Sequence, residues 1–432
     1  MKLTSMVSLF QRSSSHANGR KLHKFKIEWL SILVLFILMR LIISGVAATK
    51  TWNESLSPPT WLHSSQWMAF EKTASDQSVM ARRFLNGWFR WDTGYFVSIS
   101  LYGYSAADDS SSFMPLYPFL IRLITLITNG NALFISLIIS NLMCIVGLIL
   151  FYEVALLELG THLAAWDATL YFAAFPSAFF LFAGYSESLF LVFLLSMWLL
   201  LRRGYLLWAA FMASLAGLVR LQGVAVLLPL AWQSLVHISH VNGLTPREEI
   251  SAILQYIFSR KGQNILNFSK IVQILGIVSL PLFAILLYNF GLEAGGLTTV
   301  FGAYSNRLST VTLPWIALAE FVNRLFTVKL FPADIVDLIV LFVFVGLSII
   351  GISKIRPALT LFSLGVLVMV FSRSSPKGII QGFMRFALTT FPMFLVMAKL
   401  DLKRPIKNLI LFIFLITQMF LEWLFINWIW VA

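Results

Sequence analysis

Apolar runs of about twenty residues, the length a helix needs to cross a bilayer, alternate along this chain with short clusters of Lys and Arg. The first run is 28–48. It follows a basic stretch carrying Arg12, Arg20, Lys21, Lys24 and Lys26, and no small-residue cleavage site ends it. Residues 1–26 are therefore expected to remain as a Ser-rich, basic cytosolic tail. Residues 49–112 then lie outside. Residues 113–128 are apolar but short, with Pro115, Pro118 and Arg122. A full crossing there would carry Arg202 and Arg203 outside, so the stretch is expected to be re-entrant or interfacial. Spans follow near 131–152, 163–183 and 185–201. Residues 205–236 are long for one span and short for two, and Arg247, Arg260, Lys261 and Lys270 follow them. Two crossings are needed, with Arg220 at the outer turn. Further spans near 269–290, 336–353, 357–372, 383–399 and 406–430 leave an outer loop at 291–335. Lys354, Arg356, Lys399, Lys403, Arg404 and Lys407 fall inside, and the stretch from Arg373 to Lys377 is the exception. The fold class is thus an all-α polytopic membrane protein of about eleven spans of roughly twenty residues each. One transmembrane domain covers 27–432, with 49–130 as its outer loop and interfacial helices. No internal repeat is evident.

The most polar and aromatic part of the outer loop runs from Trp88 to Tyr95 and on to Pro118. Phe84, Trp88, Trp91 and Tyr95 recur at helical spacing, which predicts an amphipathic helix resting in the membrane interface with Asp92 at the edge of its aromatic stripe. Asp92 is then either a chemical centre at the lipid boundary or an acid that faces water.

Composition supports the membrane assignment. The 432 residues are 59% hydrophobic and 12% charged, outside the range of soluble domains. The net charge of +13 resides in clusters between apolar runs, as the positive-inside rule requires, so nucleic acid is not the expected partner. Cys144 is the only cysteine, which excludes an intrachain disulfide and a cysteine-based metal site.

Charge counting gathers Asp92, Glu187, Arg220 and Arg385 at outer ends of spans. Glu187 lies in Tyr185-Ser186-Glu187-Ser188, where the chain turns back into the membrane. It is either a buried acid that binds hydroxyls or pairs with an arginine, or the first-turn acid of a helix capped by Ser186. Arg220 and Arg385 each interrupt an apolar run. An intramembrane arginine costs about 2.5–3.5 kcal/mol on insertion scales and so needs a partner, and an anionic phosphate suits the guanidinium fork. The alternative is a structural ion pair or a snorkelled side chain. Asp108-Asp109 reads as a solvated acidic pair, and His237 and His240 have no third ligand, so no metal is expected. There is no Walker-type loop and no room for a nucleotide-binding domain of about 100 residues. Any sugar donor would sit in lipid, and no cofactor is expected.

Arg90-Trp91-Asp92 with Tyr95 and Gly103-Tyr104, Met114-Pro115-Leu116-Tyr117-Pro118, Tyr185-Ser186-Glu187-Ser188-Leu189-Phe190, and Arg385-Phe386-Ala387-Leu388 before Phe391-Pro392 occur in this order. Over roughly 85–400 the set resembles the GPI mannosyltransferase 2 (PIG-V-like) family and its prokaryotic relatives. Met114 stands where the family usually has Phe, and Arg220-Leu221-Gln222-Gly223 where eukaryotic members read closer to Arg-Ser-Asn-Gly. The resemblance implies a GT-C fold and transfer of a hexose, mannose in the type members, from a polyprenyl-phosphate donor to an extracytoplasmic glycan or lipid-linked acceptor. The short chain and sparse outer loops point to a prokaryotic member in the plasma membrane. A eukaryotic one would lie in the endoplasmic reticulum.

The expected roles follow. Asp92 is the general base, and inversion needs no covalent intermediate. Arg385 or Arg220 receives the leaving phosphate. Glu187 binds substrate, and Trp91, Tyr95 and Tyr117 stack on sugar or shape the lipid entrance. A transporter or flippase for a lipid-linked or anionic substrate would also carry intramembrane Arg and Glu, though more often with repeat symmetry.

Overall fold

A computed structural model of the chain describes residues 15–51, 58–75, 77–105, 108–239, 245–258, 268–291, 310–327, 332–374 and 382–431. Helices form along the apolar runs, and among the described residues the only strands are Thr310–Val311 and Arg373–Ser374, paired antiparallel. The pair ties the stretch before the helix Pro314–Thr327 to the end of the helix Pro357–Phe371. The segment from Arg373 and the stretch around Thr310 therefore share one end of the bundle.

Among the described residues, four helices are long and apolar enough to cross a membrane: Glu28–Ala48, Ala132–Leu159, Asp334–Lys354 and Arg404–Ile426. The first is part of a longer helix, Ser15–Thr51, so half of the basic tail continues it, while residues 1–14 lie outside the described residues. Several other expected spans are assembled from shorter pieces. The run 163–183 forms the helix His162–Ala174 and then leaves helical geometry at Phe175, whose extended ψ of 141° is what a following proline, Pro176, demands. The run 383–399 divides into Phe383–Thr389 and Pro392–Ala398, with Pro392 starting the second piece. The run 205–236 forms Leu206–Val219 and, after a 3-10 segment at Leu221–Val226, the helix Leu227–Ile238. The two halves meet at Arg220. The helix Leu116–Thr128 has thirteen residues, about 20 Å of rise, which is short of the roughly 30 Å hydrocarbon core.

Side chains are distributed as lipid solvation requires. In the first helix Ile32, Met39, Ile43 and Ala47 are buried at helical spacing, whereas Val34, Leu38 and Leu41 are exposed. In Arg404–Ile426 the inward residues include Gln418 and Glu422, and the outward ones Leu409, Phe412, Ile413 and Ile416. An apolar exterior around a core that holds polar groups is the pattern of a membrane protein.

The helix Glu187–Arg202 spans about 24 Å and connects two charged regions. Around its Arg202 end, Glu158 accepts from Arg202 at 2.8 Å and Arg356 at 3.1 Å, and Arg356 also reaches Glu249 at 3.5 Å. Nearby, Asp167 binds Arg404 and Lys407. Glu249 belongs to the helix Pro246–Phe258, which starts with a reciprocal capping box: the Thr245 amide and hydroxyl donate to Glu248, and the Glu248 amide donates to the Thr245 hydroxyl. Those hydrogen bonds hold the exposed Glu248 carboxyl below its ordinary range. His240, Arg260 and Lys261 lie outside the described residues.

Candidate active site

The stretch around Asp92 is not one amphipathic helix, as the aromatic spacing suggested. The helix Val79–Leu85 passes into a 3-10 turn at Asn86–Trp88, the chain breaks at Phe89 to Trp91, and a second helix covers Asp92–Tyr102. Trp91 takes φ 48°, a left-handed conformation costly for a bulky side chain. Arg90 holds this break together. Its Nε donates to the Ile426 carbonyl at 2.8 Å, its Nη1 donates to Asn86 and Phe89 carbonyls, and its guanidinium lies 4.6 Å from the Trp428 ring centre. Ile426 ends the helix Arg404–Ile426, so a guanidinium there satisfies one of the orphan carbonyls of that terminus. Arg90 carried no role in the sequence reading. Asp92 is consequently 4% exposed rather than at an exposed helix edge.

A second segment brings Glu187. The chain from Phe175 to Ser186 turns beneath Asp92, and the Asp92 amide donates to the Tyr185 hydroxyl at 3.2 Å. Gly184 makes this approach possible: a Cβ there would stand 2.6 Å from Ser136 Oγ and 2.9 Å from Thr93 Cγ2. Ser186 does not cap the helix it precedes. Its hydroxyl accepts from Arg220 Nη1 at 3.2 Å. Glu187 is 0% exposed, and its Oε1 lies 2.7 Å from Arg385 Nε, Arg385 Nη2 and Arg220 Nη1. Its Oε2 is buried and has no hydrogen-bond partner among the described residues.

Arg220 and Arg385 come from breaks in the two divided spans. Arg220 is extended between Val219 and the 3-10 segment, and its Nε donates to Gln222 Oε1 at 2.8 Å. The turn is tight because Gly223 packs on the backbone of Gly217, where a Cβ on Gly223 would lie 2.5 Å from Gly217 Cα. Arg385 is on the short helix Phe383–Thr389, whose N-cap, Gly382, has no side chain to cap it. Asp337, from the helix Pro332–Lys354, supplies the missing acceptor: its Oδ1 receives the Met384 amide at 2.8 Å. Ser177 Oγ donates to the Met384 carbonyl at 2.8 Å. Arg385 therefore projects from a backbone clamped on both sides. Its Nη1 lies 2.7 Å from Asp92 Oδ2, and its guanidinium stacks over Tyr185 and Phe180 at 4.8 and 5.1 Å.

Asp92, Glu187, Arg220 and Arg385 thus form one buried chain of alternating charge, with two carboxylates and two guanidiniums in balance. Trp91, Tyr95 and Tyr117 make their described ring and hydrogen-bond contacts with other residues. Trp91 packs among Trp61, Trp428 and Trp430, Tyr95 lies against Phe113 and His63, and Tyr117 is fully buried with its hydroxyl on the Ser136 carbonyl and Ser140 Oγ. Asp108 is not a solvated acid either. It is buried and accepts from Ser65 Oγ and the Ser110 amide. Among the described residues no group of three or more His, Cys, Asp and Glu side chains is placed to hold a metal ion. Of the residues the sequence reading passed over, Asp337 had a visible signal, an acid within an apolar run. Arg90 had none, because its partner is 336 positions away.

A helical membrane protein with acids and arginines meeting at the broken ends of its spans fits a membrane glycosyltransferase. The family model for Mannosyltransferase (PIG-V) matches residues 20–275, and the chain belongs to that family. The match includes Asp92, Glu187 and Arg220. No curated protein matches the chain.

Proposed function

We propose that this protein transfers mannose from a polyprenyl-phosphate donor to a glycan or lipid-linked acceptor on the extracytoplasmic side of the membrane, with inversion. The observation that carries the reading is the contact of Arg385 Nη1 with Asp92 Oδ2 at 2.7 Å. The contact supports reading Arg385 as the phosphate-binding fork and Asp92 as the general base, since the two are joined in one hydrogen-bonded unit. In the resting site Arg385 neutralises Asp92. A donor phosphate competes for the same guanidinium, which suits phosphate oxygens in bidentate fashion. As Arg385 turns to the phosphate, Asp92 is released to accept the acceptor's hydroxyl proton. The acceptor oxygen forms its bond to the anomeric carbon while the bond from that carbon to the phosphate oxygen breaks. The electron pair leaves with the polyprenyl phosphate, held by Arg385 and Arg220. Attack opposite the leaving group inverts the anomeric configuration.

Glu187 keeps both guanidiniums in place throughout. Its fully buried carboxylate fixes Arg385 through two donors and Arg220 through one. We read 27–432 as one transmembrane domain with 49–130 as its outer loop, and a prokaryotic setting would make the acceptor something other than a GPI precursor. The test is purified protein in lipid nanodiscs supplied with polyprenyl-phosphate mannose. Release of polyprenyl phosphate that disappears in Asp92→Asn is expected, with an anomeric configuration in the product opposite to that of the donor. Retention of configuration, or equal release by Asp92→Asn, overturns the mechanism.

A further inference from the structure

We infer that Trp61, Trp91, Trp428 and Trp430 form a saccharide subsite that receives the pyranose ring of the acceptor. The inference rests on the transferase reading above and adds to it the chemistry that recognises the second substrate. Three chain segments bring these rings together beside Asp92. Trp61 stacks on Trp91 with centroids 5.2 Å apart, Trp428 meets Trp61 at 5.6 Å and Trp91 at 5.7 Å, and Trp430 meets Trp91 edge-on at 4.9 Å. Trp91 directly precedes Asp92 in the chain. In this reading the acceptor's reacting hydroxyl lies at the Asp92 carboxylate and its ring at the neighbouring Trp91 cluster.

Two features set the cluster apart from ordinary packing. Trp91 and Trp428 are two of the four non-glycine residues with positive φ among the described residues, at 48° and 60°. Arg90 joins the two strained positions, preceding Trp91 and stacking on Trp428. Strained backbone held in place by its surroundings concentrates where a site needs a side chain in one orientation. In addition, the indole nitrogens of Trp91 and Trp428 are buried with no hydrogen-bond partner among the described residues. A buried indole N–H ordinarily finds an acceptor.

These features match a pyranose. One face of the sugar presents C–H groups that stack on an aromatic ring, and its rim presents hydroxyl oxygens that accept from N–H donors. Trp61 offers a ring that is 58% exposed, and Trp91 and Trp428 offer the donors. Tryptophans that anchor a protein in the membrane interface turn their N–H groups toward water and headgroups. Here two of them are turned inward, which separates this cluster from an aromatic belt. The phosphate-binding cations of the site, Arg385 and Arg220, contact none of the four rings among the contacts described.

The test uses protein in lipid nanodiscs free of sugar detergents, with methyl glycosides of α-mannose, β-glucose, β-galactose and N-acetylglucosamine as probes. Binding is followed by saturation-transfer NMR. At least one probe is expected to bind saturably, and Trp61→Ala to weaken it about fivefold to tenfold, with Trp61→Phe nearer the parent. Trp428→Phe, which keeps a ring but removes the N–H, is expected to weaken it as well. Thermal unfolding of each variant verifies folding, and the exposure of Trp61 makes its replacement the safest of the set. No saturable binding of any probe to the parent overturns the inference, as does unchanged binding in Trp61→Ala and Trp428→Phe. Donor consumption is measured on the same samples. Asp92-dependent consumption without tryptophan-dependent glycoside binding defeats the subsite alone. Tryptophan-dependent binding without consumption defeats the transferase reading alone.

Discussion

Arg385 Nη1 lies 2.7 Å from Asp92 Oδ2, although the two residues are 293 positions apart in the chain. The contact changes what substitution of Asp92 should do. An acid at an exposed helix edge would be lost without structural consequence, whereas this one is buried and neutralises half of a guanidinium. Asp92→Asn is expected to lower turnover by about 10²–10⁴, the usual contribution of a general base. It should also lower stability by about 1–3 kcal/mol, the range for a weakened buried hydrogen bond to a charge. Asp92→Asn combined with Arg385→Gln should remain inactive and lower stability further, because the buried Glu187 then loses two of its three guanidinium contacts. Thermal unfolding and donor consumption on the same preparations check both parts. An Asn variant that keeps more than about a tenth of parental turnover contradicts base catalysis, and the role would pass to Glu187.

Arg385 uses three nitrogens at once, Nη1 on Asp92 and Nε with Nη2 on Glu187. A lysine has the charge but not the fork. Arg385→Lys is expected to raise the donor KM more than it lowers kcat, and Arg385→Ala to abolish turnover while still inserting in the membrane. Steady-state kinetics with varied polyprenyl-phosphate mannose reads the difference. Parental constants in both variants would make Arg385 a structural residue and move the phosphate to Arg220.

Asp337 touches no substrate in the mechanism above. It receives the Met384 amide at 2.8 Å and so sets the start of the short helix that carries Arg385. Asp337→Asn retains an acceptor oxygen and should behave nearly as the parent. Asp337→Ala should raise the donor KM by roughly tenfold, corresponding to about 1.4 kcal/mol, with a smaller change in kcat. An equal loss in the Asn and Ala variants would show that the charge, rather than the cap, is what matters.

The helix Glu187–Arg202 separates the cluster of Asp92 and Arg385 from that of Glu158 and Arg356. The two clusters should therefore face opposite sides of the membrane. In a background where Cys144 is replaced by serine, Thr60→Cys is expected to react with a membrane-impermeant maleimide from outside intact cells. Arg247→Cys should react only after permeabilisation. The reverse pattern would place the site on the cytoplasmic side.

The four charged residues of the site were legible in the sequence because a charge inside an apolar run is expensive and therefore conspicuous. Counting Lys and Arg was enough to gather Asp92, Glu187, Arg220 and Arg385 near one end. That Glu187 could pair with an arginine was legible, but which arginine, and the pairing of Asp92 with Arg385, were not, since they depend on contacts spanning 198 and 293 positions. The aromatic spacing from Phe84 to Tyr95 misled for a local reason. No Gly or Pro marks the break between Phe89 and Trp91, and Arg90, bonded to the distant Ile426 carbonyl as well as to the Asn86 and Phe89 carbonyls, holds it open. The same holds for Ser186, which has the composition of a helix cap but whose hydroxyl accepts from Arg220 instead. The division at Phe175 was readable in principle from Pro176, and that at Thr390 from Pro392. The meaning of each became visible only when the freed ends were seen to meet.

The distance along the chain between Glu187 and Arg385 also has a meaning in time. Translation at about 5–20 residues per second makes Arg385 roughly 10–40 seconds after Glu187, a separation of 198 residues. Asp92 and Glu187 must therefore enter the bilayer while only Arg220, itself made after Glu187, is there to balance them. The nascent chain carries an uncompensated acid until the last third is threaded. An insertion machinery that shields polar side chains would carry it through that interval.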